Sequence, residues 1–388
     1  MPLDPDTRDQ LIETIARFVD ERLITREAEV ADSDSMPEDV VEEMRDMGLF
    51  GLSIPEEFGG LGLSTEEEVL VMLQISRAAP AFRSYFATNV GIGSQGIAID
   101  GTPEQKARYL PRLASGELIG SFALTEPDVG SDASNVKTTA RREGEAYVLN
   151  GTKRYITNAP HAGLFTVMAR TDPETKGARG VSAFAVEAGT SGLSLGKPER
   201  KMGQQGAHVC DVVFDNCRVP ADAVIGGVEG QGFKTAMKVL DKGRLSIAAA
   251  CTGLADRILG DMVAYAIERK QFGQAIAEFQ LLQGMFADSK ADIEAARALV
   301  IDAARRRDAG ENVAMAAACA KMFASEMVGR VADRNVQVHG GAGYIKDYRA
   351  EQLFRDARLY RIYEGTTQIQ QTIIAKQLVA EAREKLGL

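Results

Sequence analysis

The stretch AYVLNGTKRYIT, residues 146–157, decides the fold, because its pattern differs from the sequence on either side of it. Apolar or β-branched residues recur here in short runs, and LFTVMART (164–171) and VSAFAVEA (181–188) continue the pattern. Such runs are typical of strands. The Asn150–Gly151 pair predicts a type I′ hairpin turn inside the first run. We therefore expect a β domain at the centre of the chain.

Helical patterns lie on both sides of this β region. Before it, LIETIARFVDERL (11–23) places its apolar residues on one stripe, and Pro103 marks a helix start. After it, long segments rich in Ala and Met predict a helical bundle. The expected class is α+β, with an N-terminal helical domain (1–120), a middle β-sheet domain of barrel or sandwich type (121–231) and a C-terminal four-helix bundle (232–388).

Composition narrows the function. The net charge of −10 argues against nucleic-acid binding, which needs a concentrated basic face. The three histidines are far apart in the sequence, and the four cysteines form no CxxC pair. We therefore expect no metal site and reduced thiols. The N-terminus has no apolar signal-peptide core, and no window has the ~18 uncharged apolar residues of a membrane span. These features favour a cytoplasmic location and no membrane partner.

Two local motifs have competing interpretations. GIGSQG (91–96) satisfies the GxGxxG pattern, but helical sequence on both sides of it favours close helix packing over a dinucleotide site. RIYEGTTQIQQ (361–371) places Glu364 before Gly365, which ends a helix, and Thr366, which can cap the next one. Glu364 is thus expected at a bend between helices. Taken alone, this stretch favours an exposed carboxylate.

Seven motifs in order resemble the acyl-CoA dehydrogenase family: TEPDVGSD, YITN, FDNCRVP, VEGQGF, ERKQFG, QVHGGAG and IYEGT. They extend from residue 125 to residue 366, and the family has the same helix, sheet and helix order. The resemblance implies that Glu364 removes the α-proton of an acyl-CoA thioester while FAD accepts a hydride from the β-carbon. Some members place the base one residue before the Arg of a motif that matches LDKGR. That residue is Gly243 here, so Glu364 is the expected base.

The resemblance also implies ligand contacts. The residues expected at the flavin ring and beside the base are Phe122, Leu124, Thr125, Tyr155, Thr157, Thr366 and Gln368. Those expected to reach the FAD of a neighbouring subunit are Arg269, Gln271, Phe272, Gln337 and Gly341. Those expected to bind CoA are Ser131, Asp241 and Arg244. Tyr85 and Thr88 are expected to line the acyl pocket.

Several expectations concern substrate and partners. The family implies a homotetramer built from two dimers, and an electron-transfer flavoprotein as electron acceptor. A short to medium acyl chain, straight or branched, is expected. An inward-facing Arg83 would favour an acidic acyl chain, but the sequence favours an outward, solvated Arg83. Ala207 and Val209 replace the Ser and Thr that often contact CoA, which puts that contact in doubt.

The alternatives are of two kinds. An acyl-CoA oxidase, a nitroalkane oxidase and a flavin monooxygenase would share the fold but perform other chemistry. A non-catalytic helical interaction protein would leave the seven motifs unexplained.

Overall fold

Helices form the N-terminal part of the chain in the computed structural model, which describes residues 2–388. Their starts follow from local capping. Asp4 accepts a hydrogen bond from the Thr7 N–H at 3.0 Å, and Ser64 and Thr102 each form a capping box. The helices are α1 (Pro5–Phe18), α2 (Ile24–Ser33), α3 (Glu38–Asp46), α4 (Thr65–Ile75), α5 (Pro80–Thr88), α6 (Gln95–Asp100) and α7 (Pro103–Ala114).

A curled mixed sheet forms the middle of the chain. Its strands are β1 (Gly120–Ala123), β2 (Thr139–Glu143), β3 (Ala146–Thr157), β4 (Leu164–Arg170), β5 (Val181–Glu187), β6 (Leu193–Leu195) and β7 (Val209–Pro220). The strand order is β1-β4-β2-β3-β7-β6, and β5 pairs with β4 on the other side. β1 and β4 are parallel, with Gly120 opposite Leu164, whereas β3 and β7 are antiparallel. One core of the sheet consists of alternating inward side chains such as Leu149, Phe165 and Phe184.

The predicted hairpin turn at Asn150–Gly151 is wrong. β3 continues through this pair, and the turn between β2 and β3 lies at Gly144, where φ is +61°. The register between β3 and β7 shifts at Gly151, where φ is +149°. A Cβ there would lie 2.8 Å from the Thr138 Cα. The glycine therefore permits an irregularity in the sheet and a close backbone approach, which are the other common uses of glycine in a strand.

Long helices form the C-terminal part. The elements are α8 (Gly232–Glu268), β8 (Lys270–Gln271), β9 (Gln274–Ala275), α9 (Gln280–Asp308), α10 (Ala314–His339), α11 (Arg349–Ala357) and α12 (Thr367–Leu386). α10 packs against α8, α9 and α12 in the bundle, and α4 of the N-terminal part packs against α8 and α9. The predicted α+β class with a helical C-terminal bundle is confirmed. None of the helices within residues 2–388 has an apolar run long enough to cross a lipid bilayer.

The GIGSQG segment lies where helix meets sheet. It runs from the helical turn after α5 into α6, so it has the helical surroundings that the sequence predicted. A Cβ at Gly93 would lie 2.4 Å from the carbonyl oxygen of Gly120 in β1, so only glycine permits this contact. The Thr166 hydroxyl donates to the Gly93 carbonyl at 2.9 Å. The motif thus joins α5 to the sheet and lacks the strand-turn-helix arrangement of a GxGxxG fingerprint.

Candidate functional site

A cavity of about 490 Å³ lies where the three parts of the chain meet. Its walls come from α5, from the ends of β1 and β3, from α8 and from the turn before α12. Asn158, which has φ of +60°, follows β3 and donates to the carbonyl oxygens of Ser84 and Tyr85 at 3.0 and 2.8 Å. This amide fixes the end of β3 against α5, so that Tyr155 and Arg83 line the same cavity.

Glu364 lies in this wall, at the predicted bend between helices. Its Oε2 atom is buried and has no hydrogen-bond partner among residues 2–388. The expectation of an exposed carboxylate, drawn from the local stretch alone, is therefore wrong. Thr366 accepts from the Ile369 N–H and caps α12, as predicted.

The turn that carries Glu364 is held from two sides. Lys321 Nζ donates to the Gly365 carbonyl at 2.7 Å, and Gln370 Nε2 donates to the carbonyl oxygens of Glu364 and Gly365 at 3.2 and 3.1 Å. Glu364 has φ of +52°, a value rare for a residue with a side chain. The surrounding contacts maintain this backbone, which keeps the carboxylate aimed into the cavity.

The electrostatics around Glu364 favour a base that is stronger than an ordinary carboxylate. Burial raises the pKa of its carboxyl group, while the positive charges of Arg83, Lys321 and Arg244 oppose that rise. Burial also lowers the pKa of Lys321 to about 8, although the Cys251 thiol and Glu364 counteract it. The carboxylate is therefore desolvated and stays within reach of positive charge.

Gly243 and Glu364 share one small volume. A Cβ on Gly243 of α8 would lie 2.1 Å from Glu364 Oε2 and 3.0 Å from its Cδ. The absence of a side chain at residue 243 therefore leaves the space that the carboxylate occupies. The two base positions that the resemblance suggested as alternatives are in contact across the cavity wall.

Unusual backbone conformations are concentrated at this cavity. Tyr155, Gln204 and Glu364 all line it, and their φ values are +57°, +55° and +52°. Such conformations cost free energy and are typical of functional sites. The Tyr155 side chain is 59% exposed and projects into the cavity region, with the Arg154 guanidinium 5.3 Å from its ring.

The structure brings many of the predicted site residues together and leaves others apart. The predicted residues that line the cavity are Thr88, Phe122, Leu124, Thr125, Ser131, Tyr155, Thr157, Arg244 and Glu364. Asp241 forms an ion pair with Arg244 just beyond the wall. Tyr85, Thr366 and Gln368 do not line it. The Tyr85 ring packs against Phe50 and His161 in the N-terminal core.

The residues predicted to reach a second FAD lie far from the cavity. Arg244 and Arg269 are 25 positions apart along α8, which corresponds to about 37 Å at 1.5 Å per residue. Arg269, Gln271 and Phe272 follow the end of α8, and Gln337 and Gly341 lie at the end of α10. All five are exposed. A single bound molecule at the cavity of one chain does not bring these two groups together.

Two buried cations near Glu364 were missed or misjudged. Arg83 is 5% exposed and lines the cavity, so the expectation of an outward, solvated side chain is wrong. The signal was in PAFRSYFAT (80–88), where apolar residues surround the arginine on every helical face. Lys321 lies in AACAKMFASEM (317–327), with the same apolar context, and is fully buried.

The residues of the cavity fit an FAD ring system. Phe122, Leu124 and Tyr155 supply apolar and aromatic surface for a planar ligand. Thr125 and Thr157 add hydroxyls at the same wall. Glu364 lines the same cavity, and its Oε2 is buried without a partner. Within residues 2–388 no cluster of three or more His, Cys, Asp or Glu side chains is arranged to hold a metal ion.

Comparison with known proteins agrees with this architecture. The models for "Acyl-CoA dehydrogenase, N-terminal domain", "middle domain" and "C-terminal domain" match residues 5–117, 121–217 and 230–379. An acyl-CoA dehydrogenase of Bacillus subtilis is 42% identical over 347 residues, which are 89% of this chain and 91% of that protein. The CarC subunit of the caffeyl-CoA reductase-Etf complex of Acetobacterium woodii is 39% identical and covers 96% of this chain and 98% of its own.

Solved structures are similar over the whole length. The butyryl-CoA dehydrogenase of Megasphaera elsdenii superposes with a TM-score of 0.93 and 34% identity, and the match covers 98% of this chain and 100% of that chain.

Proposed function

Because this chain belongs to the acyl-CoA dehydrogenase family, we propose that it converts an acyl-CoA thioester to the trans-2-enoyl-CoA, with Glu364 as the base. The family is FAD-dependent, and its members are oxidoreductases that act on CH–CH bonds. The single observation that carries the proposal is the buried, unpaired Oε2 of Glu364 in a cavity that fits a flavin.

The environment of Glu364 suits proton abstraction. A thioester α-proton is weakly acidic, so the base must have a raised pKa and the developing enolate must be stabilised. Burial supplies the raised pKa. The backbone N–H of Glu364 donates to no acceptor within residues 2–388, so it is free to donate to the thioester oxygen. The same residue would then stabilise the enolate and accept the proton.

FAD would be held by other residues that line the same cavity. When FAD is bound there, it accepts the hydride that leaves the β-carbon. Phe122, Leu124 and Tyr155 would pack against the ring system, and Thr125 and Thr157 would donate hydrogen bonds to it. Ser131 and Arg244 in the cavity wall, and Asp241, which pairs with Arg244, would position the CoA moiety. Ala207 and Val209 line the cavity too, but neither offers a hydroxyl.

The cavity size supports a short to medium acyl chain. Its volume of about 490 Å³ must accept both the flavin ring and the acyl group. Thr88 remains a candidate contact to the acyl chain, because it lines the wall on α5. Tyr85 is not proposed for that role, since its ring lies in the N-terminal core.

Reduction of an enoyl-CoA is the second candidate reaction. It is favoured by the 39% identity to CarC, which is named as a subunit of a caffeyl-CoA reductase-Etf complex. The same residues serve both directions, because protonated Glu364 would return a proton to the α-carbon. That likeness also supports an electron-transfer flavoprotein as the redox partner.

Exposed apolar residues support assembly into a homotetramer built from two dimers. Phe272, Leu281 and Tyr344 lie at the end of the bundle and are 93%, 83% and 82% exposed. Exposed apolar groups in one region are typical of protein interfaces. A second chain at this end would bring Arg269 and Gln337 towards its own cavity, which is the arrangement that the family resemblance implies.

The decisive experiment compares the purified holoenzyme with the Glu364→Gln variant. Acyl-CoAs of graded length are added anaerobically, and the flavin absorbance is followed. We expect the wild type to bleach and the variant to keep its colour but react about 10² to 10⁴ times more slowly, since a general base contributes about that factor. Bleaching of the variant at the wild-type rate would show that another group takes the proton.

A second measurement separates the two reaction directions. The reduced holoenzyme is mixed with the corresponding enoyl-CoAs, and reoxidation is compared with the forward rate in the presence of an electron-transfer flavoprotein. A faster forward reaction supports a dehydrogenase. Faster reoxidation of the reduced enzyme by the enoyl-CoA supports a reductase and would contradict the proposed direction.

A further inference from the structure

Arg83 is a buried cation in the cavity wall whose donors are largely unused. Its side chain is 5% exposed and lines the cavity. Nη2 donates to the Ser246 hydroxyl at 3.3 Å, while Nε is buried and has no partner in the described chain. A guanidinium carries five N–H donors in a planar fork. The protein therefore provides a hydrogen-bond acceptor for only a small part of these donors.

Three other buried cations of the chain have an anionic partner. Lys153 pairs with Glu126 at 2.7 Å and Lys242 pairs with Glu68 at 2.9 Å, and Arg244 pairs with Asp241. No carboxylate oxygen of residues 2–388 lies within 4.0 Å of Arg83. Burying a charge without a partner is costly, so structures rarely retain one without use.

Lys321 offers the closest comparison, because it too is buried beside Glu364 without a carboxylate partner. Its amine donates to the Gly365 carbonyl, and its pKa is lowered to about 8, mainly by burial, so it can lose its proton. An arginine cannot do so in a protein. The positive charge of Arg83 therefore persists in the cavity, where Glu364 acts on it only from beyond 4.0 Å, and the unused N–H donors favour a bound anion.

We propose that Arg83 binds a carboxylate at the far end of the acyl chain, so that the preferred substrate is a dicarboxylic acyl-CoA. This inference rests on the proposed function, in which the thioester end lies at Glu364. The planar fork of a guanidinium matches a carboxylate through two parallel hydrogen bonds. The Tyr363 hydroxyl, which also belongs to the cavity wall, is buried without a partner and supplies a further donor.

Other anions fit Arg83 less well. The phosphates of CoA and FAD are large and strongly hydrated, whereas the Arg83 side chain is almost fully enclosed. A methyl-terminated chain would remove water from the guanidinium and return no hydrogen bond. A site built to bind a polar group rejects the analogue that lacks it, because its own polar groups are then left unpaired. The cavity thus selects against simple fatty acyl groups of the same length.

The experiment uses the holoenzyme and pairs of thioesters that differ only at the far end. Succinyl-, glutaryl- and adipyl-CoA are each compared with the thioester in which an isopropyl group replaces the carboxylate: 4-methylpentanoyl-, 5-methylhexanoyl- and 6-methylheptanoyl-CoA. For the best chain length we expect kcat/KM to favour the carboxylated member by at least about 100-fold. A ratio near one or below it for every pair would overturn the proposal.

Variants then assign the preference to Arg83. Arg83→Met should reduce the ratio by at least about 30-fold, and Arg83→Lys should keep part of it, because it keeps the charge but loses the fork. Lys376→Met is the matched control, since Lys376 lines the same cavity but is exposed. The Lys376→Met variant should change kcat/KM for both thioesters of a pair by the same factor. Arg83→Gln replaces Arg83→Met if the latter does not fold with flavin.

A binding measurement keeps this test separate from catalysis. Calorimetry with the oxidised holoenzyme and the enoyl products gives dissociation constants without turnover, and Arg83→Met should weaken only the carboxylated product. If Arg83→Met instead slows both members equally and moves the pH profile, Arg83 serves Glu364 and the proposal is wrong. If no thioester bleaches the flavin, the proposed function fails, yet the binding ratio still decides the role of Arg83.

Discussion

The two ends of helix α8 differ in the kind of group that has no partner. At the end near Gly243, the cavity encloses polar groups without partners: Glu364 Oε2, Arg83 Nε and Arg244 Nε. At the other end, beyond Arg269, apolar groups such as Phe272 stand in solvent without cover. Unpaired buried polar atoms call for a polar ligand, whereas uncovered apolar surface calls for a protein partner. One helix therefore joins the candidate ligand site to the proposed assembly site.

The comparison also explains why the backbone matters more at one end. The cavity depends on close packing, such as Gly243 against Glu364, where an added Cβ would lie 2.1 Å from Oε2. The exposed end depends on side chains that project from the β8–β9 hairpin, where Phe272 has φ of +51° and its ring meets Phe279 edge-on at 6.0 Å. Substitutions should therefore damage chemistry at the first end and association at the second.

The largest effect in this comparison is expected from Gly243→Ala. The added Cβ would lie 2.1 Å from Glu364 Oε2, so the flexible carboxylate must move away from the substrate. A misplacement of about 1 Å can cost roughly 100-fold in rate, and we expect kcat to fall by about that factor. The melting temperature should change little, because only the end of a side chain has to move. Stopped-flow bleaching and thermal denaturation measure the two effects.

Gly260→Ala is the matched control on the same helix. No atom lies within 4 Å of a Cβ at Gly260, so this variant should keep full activity. It should also gain up to about 1 kcal/mol in stability from the better helix propensity of alanine. Equal rates for the Gly243→Ala variant and the wild type would mean that the carboxylate does not need the observed position.

The sequence predicted the fold better than it predicted the surroundings of the base. Period-two runs and helical stripes predict the three parts of the chain, because secondary structure depends largely on local sequence. For the same reason, Glu364, Gly365 and Thr366 predict the bend and the helix cap. The burial of Glu364, Arg83 and Lys321 depends on helices that are far apart in sequence. Local statistics favour exposed charges, so they gave the wrong environment for Glu364 and Arg83.

The Asn150–Gly151 pair shows a second limit of prediction from local sequence. Its residues suit a tight turn, but the structure uses the glycine for a sheet irregularity against Thr138. β3 pairs with β7 on both sides of Asn150–Gly151, and the packing of that long strand against β7 outweighs the preference of two residues. Tertiary contacts decide between two uses of the same local sequence.

A smaller effect is expected at the exposed end from Phe272→Ser. Removing a 93% exposed aromatic ring should weaken association of the chains and, if a second chain completes the flavin site, flavin retention as well. A central aromatic contact is worth about 1–2 kcal/mol or more, so we expect roughly tenfold weaker association. Light scattering across a dilution series gives the mass, and the ratio of absorbances gives the bound flavin.

The control for that prediction is Leu195→Ser, on β6 of the sheet. Leu195 is 42% exposed but lies in another part of the molecule. Its replacement should leave both mass and flavin content unchanged. If Phe272→Ser behaves as this control does, the exposed end of the bundle is not an interface.

The smallest effect is expected from Lys321→Met, and it concerns the pH profile. The charge of Lys321 lowers the pKa of Glu364, so its removal should move the acidic limb of kcat/KM to higher pH. The rate at pH 6 should fall severalfold. Because the pKa of Lys321 is itself about 8, the charge fades above that pH, and the two profiles should converge there. Gln370 Nε2 still donates to the Gly365 carbonyl at 3.1 Å, so the turn keeps one support. Profiles that differ by a constant factor at every pH would mean that Lys321 only positions the turn.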